Sequence, residues 1–322
     1  MGAGAFGRNH ARVYHQLQQQ GEAVRLLAVV DSEVSRADEV AQLYGARAFG
    51  SVEQMIHTRP EIQAVSVAVP TVHHQATARL LMEAGLDVLI EKPLTATLTE
   101  ADELIQLART RHIVAQVGHL ERFNPAVRAT VPLITQPMFF EVHRLSVFTP
   151  RSLDIDVILD LMIHDLDVVL SFVKSGVKEI RAVGLPILSG KVDIANVRIE
   201  FDSGCVANFT ASRVSTERVR KLRFFQPQQY VSIDYGRQDV IVFSVGQKGT
   251  PSVNPQISMA KPGVTTEEPL AAEIKSFLNA VRSRSTPVVD LEDGRRALAV
   301  ALEILSAIRE HGQKVNLNQL QP

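Results

Sequence analysis

Strand-like apolar runs that alternate with helical patterns constrain the fold of this chain most. The runs share a length of about five residues and are found at 26–30, 64–69, 86–90 and 113–117. The helical patterns between them cover 35–44, 51–56, 75–84 and 99–111, the last opened by a capping pattern at Thr99 and Asp102. This alternation predicts a doubly wound parallel sheet with right-handed crossovers, and ligand groups at the carboxyl ends of its strands.

A glycine-rich turn opens the chain. Gly2, Gly4 and Gly7 form the pattern G-x-G-x-x-G, with Ala5 and Phe6 inside it, and a helix is predicted over 8–17. Glycines at this spacing let a pyrophosphate approach the backbone at a helix N-terminus. Asp31 ends the next strand, where a carboxylate can accept both ribose hydroxyls, although it could merely cap the following helix. Together these features predict NAD as the cofactor, rather than NADP.

The strand that should precede the glycine turn has no counterpart here, since only Met1 stands before Gly2. That strand is normally central in a doubly wound sheet. We therefore expect a Rossmann domain whose first strand is missing. We also expect that the native chain begins several residues earlier, because tight cofactor binding would otherwise be in doubt.

Charged and polar groups follow three further strands. Glu91, Lys92 and Pro93 end the run at 86–90, and Pro93 must stop that strand because it lacks a backbone donor. A cis bond before Pro93 would lock the direction of Lys92. A lysine beside a cofactor can stabilise an alkoxide, whereas the plainer interpretation is a surface Glu-Lys pair. The other strand ends bring Pro70 and His73 to the cofactor and His119 to the substrate, and no metal site is expected.

Composition limits the class of protein. The chain has 322 residues, which is about two domains, with 45% hydrophobic residues and a formal net charge of −1. Neither a nucleic acid partner nor a membrane span is indicated. Cys205 is the only cysteine, which fits a reducing compartment and a cytoplasmic location.

The second half of the chain reads as an α+β domain. Strands that share alternating polarity are predicted at 139–147, 179–185, 193–201, 205–212, 221–226, 229–235 and 239–245. They predict a mostly antiparallel sheet with one face open, so a homodimer or homotetramer through that face is expected. A loop is predicted over 246–264, and helices over 270–282 and 291–311 close the chain. We place the domain boundary between residues 119 and 120, giving a dinucleotide-binding domain, 1–119, and a substrate-binding and oligomerisation domain, 120–322.

One apolar helix, predicted over 157–173, carries Asp160 and His164 four residues apart on one face. Ionisable groups among apolar neighbours are costly unless they are paired or used. An imidazole is a natural base for an alcohol proton, and a carboxylate one turn away can orient it. The alternative is a buried pair that ties this helix to a neighbour.

These residues resemble the glucose-fructose oxidoreductase, inositol dehydrogenase and rhizopine-catabolism family of sugar dehydrogenases. The similarity covers nearly the whole chain and rests on the glycine turn, Glu91-Lys92-Pro93, Asp160-x-x-x-His164 and a closing pattern from Glu268 to Gly294. The resemblance implies a Rossmann domain followed by an open-faced sheet, with substrate between them. It also implies hydride exchange between a sugar carbon and nicotinamide, with Lys92, Asp160 and His164 as the catalytic set.

The stretch from Val117 to Val127 is similar to the branch of this family that oxidises C3 of UDP-N-acetylglucosamine. Arg122 and Asn124 would then face the substrate, although Asn124 followed by Pro125 is also typical of a helix start. A UDP group needs a diphosphate site, for which Arg122, Arg144, Arg151 and Arg213 are candidates. The alternatives are a dehydrogenase of free sugars or inositol, an NAD-using glycosidase, and a non-catalytic NAD- and sugar-binding regulator.

Overall fold

The computed structural model describes residues 1–149, 153–246 and 257–315. Their α-helices, in chain order, are α1 Ala5–Gln19, α2 Val34–Tyr44, α3 Val52–Thr58, α4 His74–Glu83, α5 Leu98–Arg111, α6 Pro125–Thr130, α7 Ile163–Phe172, α8 Pro269–Ser283 and α9 Leu291–Lys314. Their β-strands are β1 Ala28–Val30, β2 Arg47–Phe49, β3 Ala64–Val67, β4 Asp87–Glu91, β5 Ala115–Gly118, β6 Phe139–Val147, β7 Val177–Leu185, β8 Ile194–Phe201, β9 Val206–Ser215, β10 Val219–Gln226, β11 Gln229–Asp234, β12 Asp239–Val245 and β13 Ile257–Ala260. None of the helices described is long and apolar enough to cross a bilayer.

The chain forms two compact units, each built from two segments. Unit 1 consists of 1–123 and 268–298, and unit 2 consists of 124–267 and 299–322. Unit 1 contains the predicted α/β alternation, and unit 2 contains the predicted antiparallel strands. The predicted fold class is confirmed.

The parallel sheet of unit 1 is formed as two hydrogen-bonded pieces, β1-β2 and β3-β4-β5. Met1 and Gly2 link them, because Gly2 N donates to Val30 O at 2.8 Å and Ala68 N donates to Met1 O at 2.8 Å. A cavity of about 450 Å³ lies beside this link and is lined by both β1 and β3. Ala11 and Tyr14 of α1 also line it. This cavity therefore lies between β1 and β3, where the sequence predicts that a strand is missing.

Unit 2 is built on a continuous sheet of eight strands, in the order β13-β12-β11-β10-β6-β9-β8-β7. The β6-β9 pair is parallel, and the other neighbouring pairs are antiparallel. One face packs on α7 through Phe140, Phe172 and Phe224, whose ring centroids are 5.5 to 6.4 Å apart. Aromatic burial of this kind supplies much of a domain's stability.

Four local predictions need correction. Helix α5 begins one residue earlier than predicted, at Leu98, and Thr97 and Glu100 form the capping box in place of Thr99 and Asp102. Strand β2 was not predicted, because only three residues carry it. Strand β13 lies in the predicted loop, of which 247–256 fall outside the described residues. The predicted helix over 157–173 opens with a π-helical turn, Ile158–Met162, before α7.

Candidate active site

The glycine turn adopts a conformation that only glycine fits. Gly2 has a φ of +80°, and a Cβ there would lie 2.6 Å from Ala68 O. A Cβ on Gly7 would lie 1.7 Å from Gly2 O, so the turn closes on itself. Gly4 differs, because a Cβ there would meet nothing within 4 Å. Gly4 caps α1 without a side-chain hydrogen bond, which leaves the first backbone N–H groups of a 15-residue helix for an anion.

Asp31 lies beside this turn at the end of β1. Its Oδ2 accepts a hydrogen bond from Ala3 N at 2.7 Å, and its Oδ1 accepts one from Glu33 N at 2.9 Å. Asp31 does not cap α2, because the N-cap residue of that helix is Glu33 and no side-chain capping hydrogen bond is formed there. Asp31 contacts the glycine turn and the backbone N–H of Glu33 instead. A carboxylate has about four acceptor positions, so two bonds leave room for ribose hydroxyls.

Glu91 and Lys92 end β4, next to Gly118 at the end of β5, as predicted. Glu91 is 6% exposed, and its Oε2 accepts a hydrogen bond from Lys92 N at 3.2 Å. The bond between Lys92 and Pro93 is cis. The interpretation of Glu91 as a surface residue is therefore wrong, since this carboxylate is buried.

Two buried histidines near this turn were not predicted as site residues. His10 Nε2 lies 2.9 Å from Glu91 Oε1, and His10 is 3% exposed. His74 Nδ1 lies 2.9 Å from Pro93 O, and His74 Nε2 lies 2.9 Å from Val69 O. Burial lowers the pKa of His74. The signal for His10 was its place three residues after Gly7, which puts it on the inner face of α1.

Pro70 and His73 follow β3, at the same sheet edge as Glu91. Pro70 precedes the short 3₁₀ turn Thr71–His73, and His73 is exposed. His73 thus lies on the surface of the loop, whereas its neighbour His74 is the buried residue of the pair.

His119 directly follows β5 and is 1% exposed. Neither of its ring nitrogens has a hydrogen-bond partner among the residues the structure describes. Burial, followed by the positive charges of Arg122 and Lys92, lowers its pKa from 6.5 to about 3. His119 is consequently a neutral imidazole that lies close to the charge of Lys92.

Arg122 and Asn124 have well-defined local partners. Arg122 forms an ion pair with Asp293 at 3.0 Å within unit 1. Asn124 caps α6, since its Oδ1 accepts from Ala126 N at 3.1 Å and Pro125 is the first helical residue. The Asn124 Nδ2 also donates to Tyr235 O at 3.1 Å. The predicted helix start at Asn124 is present.

Asp160 and His164 lie at the junction of the π-helical turn and α7 in unit 2. Asp160 belongs to the π-helical turn and is half-buried, whereas His164 lies in α7 and is 9% exposed. π-helical turns are rare and frequently occur at functional sites. Asp160 and His164 are four residues apart in the sequence, which is about one helical turn.

Two of the candidate diphosphate arginines are internal. Arg144 forms a bidentate pair with Asp165 at 2.5 and 3.0 Å, and Arg144 is 4% exposed. Arg213 lies 3.4 Å from Asp193 and is 5% exposed. Buried guanidinium groups paired in this way do not suit a solvent-borne diphosphate. Arg151 lies outside the described residues.

Comparison with known proteins assigns the chain to a family. Residues 1–119 match the oxidoreductase family with an NAD-binding Rossmann fold, and 137–229 match the GFO/IDH/MocA C-terminal domain. The chain belongs to the GFO/IDH/MocA oxidoreductase family. It is 38% identical over 315 residues to the UDP-N-acetylglucosamine 3-dehydrogenase of Acidithiobacillus ferrooxidans, covering 98% of this chain and 97% of that protein.

The chain is also similar to a second curated dehydrogenase and to solved structures. The scyllo-inositol 2-dehydrogenase (NAD(+)) of Bacillus subtilis is 24% identical over 334 residues, covering 99% of this chain and 95% of that protein. A solved structure of the Acidithiobacillus ferrooxidans enzyme has a TM-score of 0.88 at 38% identity, with 95% of each chain covered. A levoglucosan dehydrogenase structure has a TM-score of 0.84 at 17% identity, covers 96% of this chain and 95% of that chain, and shows the fold alone.

NAD is the cofactor of this GFO/IDH/MocA chain, and the residues of unit 1 fit it. The open approach to Gly4 and the uncapped start of α1 suit a pyrophosphate. The Asp31 carboxylate suits an unphosphorylated ribose.

Proposed function

We propose that this oxidoreductase removes a hydride from a secondary alcohol of a sugar, with C3 of UDP-N-acetylglucosamine as the best candidate. The single observation that carries the proposal is the 38% identity, over 98% of this chain, to an enzyme named for that substrate. The inositol dehydrogenase relative is 24% identical.

Residues of the amino-terminal half are proposed to bind the cofactor. We assign 1–119 as the dinucleotide-binding domain and 120–322 as the substrate-binding domain. The proposed cofactor contacts are Gly2, Gly4, Ala5, Phe6, Gly7, Asp31, Pro70, His73, Glu91 and Lys92. The arrangement at Gly4 and Asp31 supports this assignment, because Gly4 opens the N-terminus of α1 to an anion and Asp31 offers a carboxylate at the end of β1.

Three side chains are proposed to handle charge and protons at the substrate hydroxyl. The His164 imidazole takes the hydroxyl proton, and Asp160 orients that imidazole from the preceding turn. The Lys92 ammonium stabilises the negative charge that develops on the oxygen. When bound, nicotinamide supplies the hydride acceptor. The π-helical turn at Asp160 supports these roles, as does the hydrogen bond from the Lys92 backbone N–H to the Glu91 carboxylate.

His119, Arg122 and Asn124 are proposed to contact the sugar, together with Asp160 and His164. His119 is neutral near pH 7, because its pKa is lowered to about 3, so one ring nitrogen can donate and the other can accept. Its position next to Gly118 places it at the same sheet edge as Lys92. Asn124 caps α6 through its Oδ1 and donates to Tyr235 O through its Nδ2, which fixes the direction of its amide.

A panel of sugars with NAD⁺ tests the substrate. We expect UDP-N-acetylglucosamine to give NADH formation with the highest kcat/KM, above other UDP-sugars, free inositol and free aldoses. A higher kcat/KM for inositol or an aldose would favour the free-sugar alternative. Release of an aglycone without NADH accumulation would favour a glycosidase, and binding without turnover would favour a regulator.

We also propose a cytoplasmic homodimer or homotetramer that forms through the open face of the sheet in unit 2. Apolar side chains form one cross-strand row on that face, running through Phe139, Phe225, Tyr230, Phe243 and Met259. Phe225 is 38% exposed and Met259 is 62% exposed. A second copy would cover this row, and Phe225→Glu should therefore shift the sedimentation coefficient to that of a smaller species.

A further inference from the structure

His10 connects the cofactor-binding helix to the end of β4. It lies in α1, which begins at the glycine turn, and its Nε2 is 2.9 Å from Glu91 Oε1. Both side chains are buried, with 4% and 9% of their side-chain surface exposed. The His10 ring also packs on Phe6 of the glycine turn, with centroids 5.6 Å apart. A buried carboxylate is costly without such a partner, so this contact fixes where the Glu91 carboxylate lies.

The Glu91 carboxylate that His10 holds also contacts the backbone of Lys92. While Oε1 faces His10, Oε2 accepts a hydrogen bond from the backbone N–H of Lys92 at 3.2 Å. On the neighbouring strand, Gly118 leaves room for the carboxylate, because a Cβ there would lie 2.8 Å from Glu91 Oε1. The carboxylate is therefore confined on three sides, by His10, the Lys92 backbone and Gly118.

We infer that His10 is a positioning residue for Lys92, acting through Glu91. The inference rests on the proposed catalytic role of Lys92, since His10 itself is not assigned any contact with reacting atoms. Fixing the Lys92 backbone where β4 ends limits the positions that its ammonium can reach. A displacement of about 1 Å at a catalytic group can cost roughly 10²-fold in rate. Loss of the His10 contact should thus lower kcat, even though the ammonium remains present.

Two substitutions at His10 separate a hydrogen bond from simple packing. His10→Leu removes the donor to Glu91, whereas His10→Gln retains an N–H at a similar distance from the backbone. We expect His10→Leu to lower kcat about tenfold or more, and His10→Gln to recover most of that loss. Equal kcat values for the two variants, or a wild-type kcat for His10→Leu, would overturn the inference.

Tyr14→Phe is the matched control on the same helix. Tyr14 is half-buried and its hydroxyl lies 2.9 Å from Ser66 Oγ, so removing the hydroxyl costs unit 1 one internal hydrogen bond that does not involve Glu91. We expect Tyr14→Phe to lower the Tm with an unchanged kcat. If Tyr14→Phe and His10→Leu lower kcat in proportion to Tm, the role of His10 is structural only and the inference fails.

A double-mutant cycle keeps the two proposals distinguishable. If His10 acts through Lys92, then His10→Leu in a Lys92→Ala background should change kcat by less than about twofold. An undiminished effect in that background would refute the positioning role alone. Full activity of Lys92→Ala would instead refute the catalytic role of Lys92. Should His10→Leu fail to fold, Gly118→Ala displaces the same carboxylate from the opposite side and must show the same loss of kcat and the same cycle.

Discussion

The sheets of the two units differ in continuity. In unit 2, eight strands form one hydrogen-bonded sheet, whereas in unit 1 the parallel strands form pieces of two and three strands. The pieces in unit 1 are linked at Met1 and Gly2, beside a cavity of about 450 Å³. The proposed cofactor-binding turn is thus attached to the less continuous sheet. The proposed catalytic His164 is on a helix of the unit with the continuous sheet.

The interrupted sheet and the proposed cofactor site therefore lie in the same unit. Unit 2 has a continuous hydrogen-bond ladder and buried ion pairs such as Arg144 with Asp165. Unit 1 has a cavity lined by Ala11, Tyr14 and the edges of β1 and β3. We therefore expect substitutions of similar chemistry to change the free energy of unfolding by different amounts in the two units.

Removal of one partner of an ion pair should give the largest difference between the two units in the free energy of unfolding. Arg144 and Asp165 are 5% and 2% exposed as side chains, so Arg144→Ala leaves a buried carboxylate without its partner and should lower the free energy of unfolding by about 3–5 kcal/mol. In unit 1, Arg109 pairs with Glu292 at 2.5 Å, and their side chains are 67% and 51% exposed, so Arg109→Ala should cost about 1 kcal/mol or less. Urea unfolding measures both. Equal losses would contradict the contrast between the units.

A buried histidine should make the stability of unit 1 depend on pH. The folded-state pKa of His119 is about 3, against an ordinary value of 6.5, so between these values the unfolded chain binds a proton that the folded chain does not. Stability should consequently fall by a few kcal/mol as the pH is lowered from 6.5 towards 3, and be unaffected above 6.5. His119→Phe should flatten this part of the curve in unfolding experiments at several pH values. An identical pH dependence of stability in His119→Phe would show that His119 is not its source.

Replacing a buried alanine by leucine should change the free energy of unfolding least, and the change should have opposite signs in the two units. Ala11 lines the cavity of unit 1, so Ala11→Leu should raise the free energy of unfolding by about 0.5–2 kcal/mol. Ala207, which is fully buried in β9, has no such space, and Ala207→Leu should lower it by about 1–3 kcal/mol. Calorimetric Tm values test the signs. Destabilisation by both substitutions would mean that the cavity cannot accept a larger side chain.

The sequence predicted the fold class well because its main signals are local. Strands such as β6 and β12 follow from polarity patterns within single segments, and their predicted bounds agree with the structure. Strand β2, with three residues, is too short for such a pattern, and it forms because β1 offers a paired edge. The π-helical turn at Asp160 depends on i to i+5 hydrogen bonds, which the apolar periodicity does not encode.

The candidate site was only partly predictable for a similar reason. Glu91, Lys92 and His119 stand at strand ends, which sequence patterns can locate. The sequence places His10 three residues after Gly7, but only the fold shows its contact with Glu91, 81 residues away along the chain. The identification of His74 as the buried member of the His73–His74 pair likewise depends on carbonyl oxygens that the fold brings to its ring.

Lys92 is proposed to act in the redox reaction, and its contribution can be measured as NADH formation from NAD⁺ with UDP-N-acetylglucosamine. We predict that Lys92→Ala lowers kcat by roughly 10²-fold or more. The matched control Lys191→Ala, at an exposed lysine, should retain the wild-type rate. Equal rates for the wild type and Lys92→Ala would contradict the account.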